Sequence, residues 1–471
     1  MSFQKLGTLS HNEAWPPNIR MIVASGGEVT LKLTTTDNSE VAPVHEETWT
    51  AQDKTWTPSL TAGTYYVFVD GNLDKVTRFD SGTQWGTDNA RWTGTFNADL
   101  FTGLTHLWIS NNTALTELVT GEWPDLQFLF CNSTGITSLT TYEWPNLTNF
   151  YCHTTNFDQE AVDSILAGMV VSYNTAPRAG VNVQLHNTTA PSEQGWSDRH
   201  TLISNGWTVQ VTGTPVGQIE IATQAELEAI GFDAQTKQAD YILTDDIAVS
   251  GFTAITDFAG TFDGNGKSIT GLTDALFANT TTGQVHNLSA DKPIATTNAG
   301  IIQRCRNIGT AEGGGIAGTN SGTIQDCYST ATVTGTTTGG LVGLNQGTID
   351  KCYSTGAVTG TTTGGLVADN TGTVLDSYWD TQASGQSTSA GGEGKTTSQM
   401  KHAGTYENWN TSYWVLSNSD YPELKPFYVQ TGGTVAYIRL IDEGDIPESI
   451  TDNNILNRYG KRMDFEIWFR E

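Results

Sequence analysis

The chain has 471 residues, of which 50 are Gly and only 15 % are charged, and it carries a formal net charge of −27. Its length exceeds a single ordinary domain. So much negative charge repels phosphate, which argues against a nucleic-acid or anionic-membrane partner, and no apolar run is long enough to insert in a bilayer.

Residues 1–97 contain alternating stretches, MIVASGGEVTLKLTTT and GTYYVFVDG, separated by turn residues. That alternation predicts an N-terminal β-sandwich-like domain. A period then begins. LTHLWISNN at Leu104, LQFLFCNST at Leu126 and LTNFYCHTT at Leu147 are 22 and 21 residues apart. Each is close to the leucine-rich pattern of one short strand per turn. Trp123-Pro124 and Trp144-Pro145 recur at the same step. After Phe157, apolar residues at Ala161, Val162, Ile165, Leu166 and Met169 predict an amphipathic helix with Asp158 as its cap. The strand VNVQLHNTT from Val181 completes a leucine-rich repeat-like module over 98–213.

Gly213–Gln218 reads as a linker, and Thr223-x-x-Glu226 as a capping box that opens a short helix over the end of the next unit. Three copies of a 25-residue repeat follow, starting at Gly314, Gly339 and Gly364. Gly-rich corners, β-branched residues and no helical period predict coils stacked into a β-solenoid over 219–386. Stacked coils sit ~4.8 Å apart, so equivalent residues touch. The expected inward ladders are Ile316/Leu341/Leu366 and Ile324/Ile349/Val374, with Asn320/Asn345/Asn370 as an amide ladder and Tyr328/Tyr353/Tyr378 as an aromatic stack. The Gly-Gly pairs are expected to permit tight turns. Residues 387–420 read as a solenoid cap, and 421–471 as a C-terminal anchor or oligomerisation segment. The fold class is therefore mainly β, with two solenoids in series behind the N-terminal domain.

All five cysteines fall on inward columns. An odd count without paired spacing argues against a disulfide framework, so all five are expected as buried thiols. No spacing suits a metal, and no cofactor motif is present. The acids Asp326, Asp350 and Asp376 are the candidates for a glycosidase pair, but they occupy neighbouring columns rather than one cleft, so no catalytic residue is assigned and the chain is expected not to be an enzyme. Asp245-Asp246 reads as part of a turn.

Period-two alternation turns one set of leucine-rich positions outwards. These are His106, Trp108 and Ser110, then Phe128, Phe130 and Asn132, then Asn149, Tyr151 and His153, and finally Gln184 and His186. Trp108, Phe130 and Tyr151 form an aromatic column edged by imidazoles and amides, which suits sugar rings or a protein partner. The binding residues expected on this concave aromatic face are His106, Trp108, Phe128, Phe130, Tyr151 and His153.

Residues 219–415 resemble the GLUG-motif solenoids of bacterial and phage adhesin-like proteins. The resemblance rests on ILTDDIAVS…GTFDGNGKSITGL, GGLVGLNQGTIDKCYSTGAVTG and SYWDTQASGQSTSAGGEGKTTSQM. Residues 98–213 resemble a leucine-rich module of phage structural and bacterial surface proteins, through FDQEAVDSILAGM…APSEQGWSDRHTLISNGWTVQV. These resemblances imply surface display and adhesion without a catalytic residue. The start MSFQKLGTLSHNEAWPP lacks the apolar core of a secretory signal, which moves the expectation towards a virion spike or tail-fibre component at the virion surface. Its expected partners are a host-surface glycan or protein, other virion subunits and further copies of itself. A secreted or cell-surface adhesin and a polysaccharide depolymerase are the alternatives.

Overall fold

The computed structural model describes residues 3–11, 19–37, 39, 43, 45–50, 52–56, 63–81 and 91–425, and the strands Val435–Ile441 and Asp464–Arg470. It is mainly β, with several sheets built from parallel strands.

The N-terminal strands form two sheets. In one, Gln4–His11 lies between Arg91–Asn97 and Gly63–Gly71, followed by Glu28–Thr34 and His45–Thr50. In the other, Ile19–Val23 pairs antiparallel with Asp53–Trp56 and Val76–Asp80. Both sheets continue past residue 97. Val76–Asp80 pairs in parallel with His106–Trp108, and Arg91–Asn97 with Leu115–Val119. Residues on either side of that boundary therefore share one core. Phe79 sits at its centre, 5.2 Å from Phe96 and 5.6 Å from Phe101 between ring centroids.

From His106–Trp108 the sheet grows by one parallel strand per turn, through Phe128–Phe130, Asn149–Tyr151, Asn182–Leu185 and Thr208–Val211. Leu107, Leu129, Phe150, Val183 and Val209 are mutual partners in this sheet, and all are buried. The recurring Trp123 and Trp144 stack at 5.8 Å with 13° between their planes. The first four of these strands are each followed, two or three residues on, by a residue with positive φ: Asn111, Ser133, Thr154 and Asn187. Helix α1 (Gln159–Thr175) is capped by the Asp158 side chain, which accepts from the Ala161 N–H at 2.9 Å. It buries the five apolar residues named from the sequence.

Helix α2 (Glu193–Ser204) joins the two arrays. It packs on α3 (Gln224–Ala229), whose capping box between Thr223 and Glu226 is complete. The guanidinium of Arg199 is buried and bonds Asp233 and the Val209 carbonyl. His200 meets the Glu226 carbonyl through Nε2 at 2.9 Å, and burial holds its imidazole down at about 4, so it is neutral. Leu227 and Ile230 close the near end of the second core.

The second array is a stack of parallel coils. One eight-stranded sheet runs from Gln218–Ile221 to Thr373–Leu375, and another from Ile247–Ala248 to Glu393–Lys395. A five-stranded and a three-stranded sheet complete the coil walls. The register produces an inward ladder of Tyr241, Phe262, Val285, Ile302, Ile324, Ile349 and Val374. Asn298, Asn320, Asn345 and Asn370 form the amide ladder, each Nδ2 donating to the next Oδ1 at 2.8 Å. Ile316, Leu341 and Leu366 are fully buried beside it.

Cys305, Cys327 and Cys352 are free, buried thiols on one column, continued by Ser377. The Sγ atoms of Cys327 and Cys352 accept the backbone N–H of the preceding column residue, at 3.3 Å and 3.4 Å, and Ser377 Oγ accepts that of Cys352 at 3.0 Å. A small group with one donor and one acceptor suits this position, which is why Cys and Ser interchange there. Cys131 and Cys152 depart from the expectation of thiols. They are joined by a disulfide, their Cα atoms lying 4.8 Å apart on adjacent turns, within bridging distance.

The glycine pairs act differently from the expectation. Neither Gly339 nor Gly340 has positive φ; the role of Gly340 is close approach, since a Cβ there would lie 2.2 Å from the Gly365 carbonyl oxygen. The left-handed corners fall instead on Arg304, Asp326, Lys351 and Asp376. The expected cap also divides in two. Residues 388–392 cover the end of the stack, with Ser389 bonding the Val367 N–H and Gly391 against Val374. Met400, Tyr406, Trp409, Trp414 and Leu424 instead cover the flank formed by Tyr328 and Tyr353, which stack at 4.9 Å.

Replacing Ile349 with Asp places a carboxylate between Ile324 and Val374 and costs several kcal/mol. Lys351→Gly, two residues on, relieves a φ of +53° and leaves stability equal or raised by up to about 1 kcal/mol. Thermal melts of the two variants check this, and equal melting temperatures would exclude the ladder. Alkylation followed by mass spectrometry is expected to label Cys305, Cys327 and Cys352 only after unfolding; labelling of the native protein would show these columns to be exposed.

Candidate ligand-recognition face

The sheet of the first array has one face on the core and one turned away from it. On the second face, register places Arg78, His106, Phe128, Asn149 and Asn182 in one row across the strands. Asp80, Trp108, Phe130, Tyr151 and Gln184 form the next. The structure thus brings together all six residues expected from the sequence. Trp108 and Phe130 lie 4.6 Å apart and Phe130 and Tyr151 4.8 Å, while His106 stacks on Phe128 at 4.6 Å. His153 lies beyond Tyr151, stacked on His186 at 4.4 Å with 11° between rings. All are half-buried, largely by one another.

Ser110 does not share this exposure. It is buried, and its hydroxyl bonds Asn132 Oδ1 at 2.6 Å, so the turn after the strand shields it. Tyr151 Oη accepts from Asn149 Nδ2 at 2.9 Å and Asn182 Nδ2 at 3.0 Å, which orients both amides across the face.

Sequence reasoning missed Arg78 and Asp80. They come from the N-terminal domain, and no spacing in the sequence ties that strand to the repeats. Arg78 Nε donates to Asp80 Oδ2 at 2.8 Å, while Arg20, paired with Asp53, comes within 3.9 Å of Asp80. Burial holds the Asp80 carboxyl above its ordinary range, against the pull of both arginines. Arg78, His106, Trp108, Phe128 and Phe130 line a depression of about 320 Å³. On this face, among the described residues, Asp80 Oδ1, Trp108 Nε1, Asn182 Oδ1 and His186 Nδ1 are buried without a hydrogen-bond partner. Buried polar atoms without partners are costly, and a bound ligand with hydroxyls would relieve them.

The carboxylates considered for catalysis lie on the second array and serve its packing. Asp326 Oδ1 accepts from Trp414 Nε1 at 2.9 Å, Asp350 bonds Lys351 and Gln325, and Asp376 bonds Asn408. Asp246 accepts the Ser268 N–H at 2.7 Å, a bond to the next coil 22 residues on rather than one within a turn. Among the described residues no group of three metal-ligating side chains converges.

Burial pushes the imidazoles of His106 and His153 down, helped by Arg78 and His186 respectively. The folded face therefore holds both neutral where the unfolded chain protonates them. Their contribution to stability is full above the ordinary histidine value of 6.5 and is lost as pH falls below it. Tryptophan fluorescence between pH 7.5 and 5 is expected to report loosening of this face, and His153→Gln to flatten the change; an unchanged pH profile in that variant would show that the histidine stack does not contribute.

The GLUG motif family matches residues 335–359, one coil of the second array, which with its parallel stacking makes this region a GLUG-type β-solenoid. No curated protein matches the chain, and neither does any solved structure.

Proposed function

We propose that this chain is a non-enzymatic attachment protein, carried on a virion as a spike or tail-fibre component, that recognises the host surface through the aromatic face of its first array. In this reading the first array is a leucine-rich module and the second a solenoid in series with it, which carries the module away from its point of anchorage. Further copies of the chain and other virion subunits would be its structural partners.

The observation that carries the reading is the half-exposed column Trp108, Phe130 and Tyr151. Three stacked outward aromatics are unfavourable for solubility unless something covers them. Aromatic faces edged by amides and imidazoles match the alternating apolar and hydroxylated surfaces of a glycan. The buried, unpaired polar atoms beside the column support a ligand that offers hydrogen bonds.

The Trp108→Ala, Tyr151→Ala double variant is expected to fold as the parent does, because neither side chain reaches the core, and to weaken attachment to host cells by about 2 kcal/mol or more. Attachment equal to the parent's sinks the recognition reading. Early melting would show that the column is internal packing. Co-purification of the chain with virions tests its placement.

A further inference from the structure

The two ends of the aromatic face differ. Towards Tyr151 it is edged by the amides Asn149, Asn182 and Gln184, all on open strands of the sheet. Towards the N-terminal domain it closes into the depression beside Arg78, where the wall is no longer made by the repeats. Its volume of about 320 Å³ lies at the low end of small-ligand sites, which suits one or two sugar rings rather than a peptide segment.

The charges around this depression cancel. Arg78 is held by Asp80 and Arg20 by Asp53, each through a side-chain hydrogen bond, and His106 is kept neutral by burial. Among the described residues each arginine here already has a carboxylate partner, which together with the chain's net charge of −27 disfavours a ligand carboxylate or sulfate. Two residues paired in register each keep a buried polar atom without a partner: Asp80 Oδ1, which can only accept while the carboxylate is ionised, and Trp108 Nε1, which can only donate. A sugar hydroxyl both donates and accepts. A pair of hydroxyls satisfies both.

Resting on the reading of this face as a recognition surface, we propose that the depression lined by Arg78, His106, Trp108, Phe128 and Phe130, with Asp80 against Arg78 beside it, is the primary subsite for a neutral terminal pyranose of a surface glycan, with the adjoining sugars running along Phe130 and Tyr151. Asp80 and Trp108 bond its hydroxyls, and Phe128 and Phe130 lie against its apolar ring face.

The test is a glycan array probed with the full chain and with Trp108→Phe, which keeps an aromatic ring while removing the N–H donor and part of the indole surface. The parent is expected to bind neutral hexose-terminated glycans in preference to uronic-acid-terminated, sialylated or sulfated ones. Trp108→Phe is expected to lose about tenfold in affinity for the neutral glycans with an unchanged melting temperature. Binding confined to acidic glycans, unchanged affinity of Trp108→Phe, or no glycan binding at all overturns the proposal. The Trp108→Ala, Tyr151→Ala variant separates the two levels. Acidic-glycan binding that this variant loses would overturn the neutral subsite and leave the recognition face standing, whereas binding that it retains would overturn both.

Discussion

Parallel, in-register stacking is the constraint on which the rest of this molecule depends. Each coil satisfies its backbone groups with the coils before and after it, so a residue meets its own equivalent one turn along the chain. A column must therefore tolerate contact with itself. Ile and Val do so by packing, Asn by offering both a donor and an acceptor, and Tyr by stacking. Cys and Ser do so by accepting one backbone N–H at the same corner. Like charges repeated in a column would repel, and the corner column resolves this by alternating sign: Arg304, Asp326, Lys351, Asp376. Lys351 and Arg304 both favour the ionised form of Asp326 between them, although burial raises it overall.

Stacking solves the interior and leaves the ends and flanks open. An uncovered sheet edge pairs with other chains, and here other parts of the chain take up the start of the first array and both ends of the second. The first begins on the N-terminal domain, whose strand Val76–Asp80 serves as its opening turn. The second begins under α3 and ends under residues 388–392, and the chain then doubles back to bury the tyrosine flank. Glu423 closes that return, bonding Tyr328 and Arg306 beside it on the column. The join through Arg199 and Asp233 sets a buried guanidinium against a part-exposed carboxylate where the two cores meet, so removing Asp233 would leave a buried charge.

The outward face of the first array follows a different logic. There the stacking of like with like produces an aromatic column that the core does not use, and the polar atoms beside it are not fully satisfied by the fold. The Arg–Asp pairs at its edge come from outside the repeats, so the depression exists only where the two kinds of architecture meet.

The period in the sequence by itself determined the ladders, because a repeated residue in a parallel stack can only meet its own copies. Ile324 with Ile349, Asn320 with Asn345 and Tyr328 with Tyr353 were legible as pairs in this way, and so was the outward phase of Trp108, Phe130 and Tyr151. The Asp158 cap and the Thr223–Glu226 capping box were legible because each is a local bond within three residues. What the period does not contain, only the tertiary structure decided. The parallel pairing of Val76–Asp80 with His106–Trp108 is a non-local contact, and it brought Arg78 and Asp80 to the candidate site. The disulfide between Cys131 and Cys152 depends on how two side chains turn towards each other, which column membership does not reveal. The backfolding of Met400–Leu424 onto the tyrosine flank depends on apolar residues with no repeat to place them. Periodicity fixes neighbours along the stack, and only the folded chain fixes what lies across it.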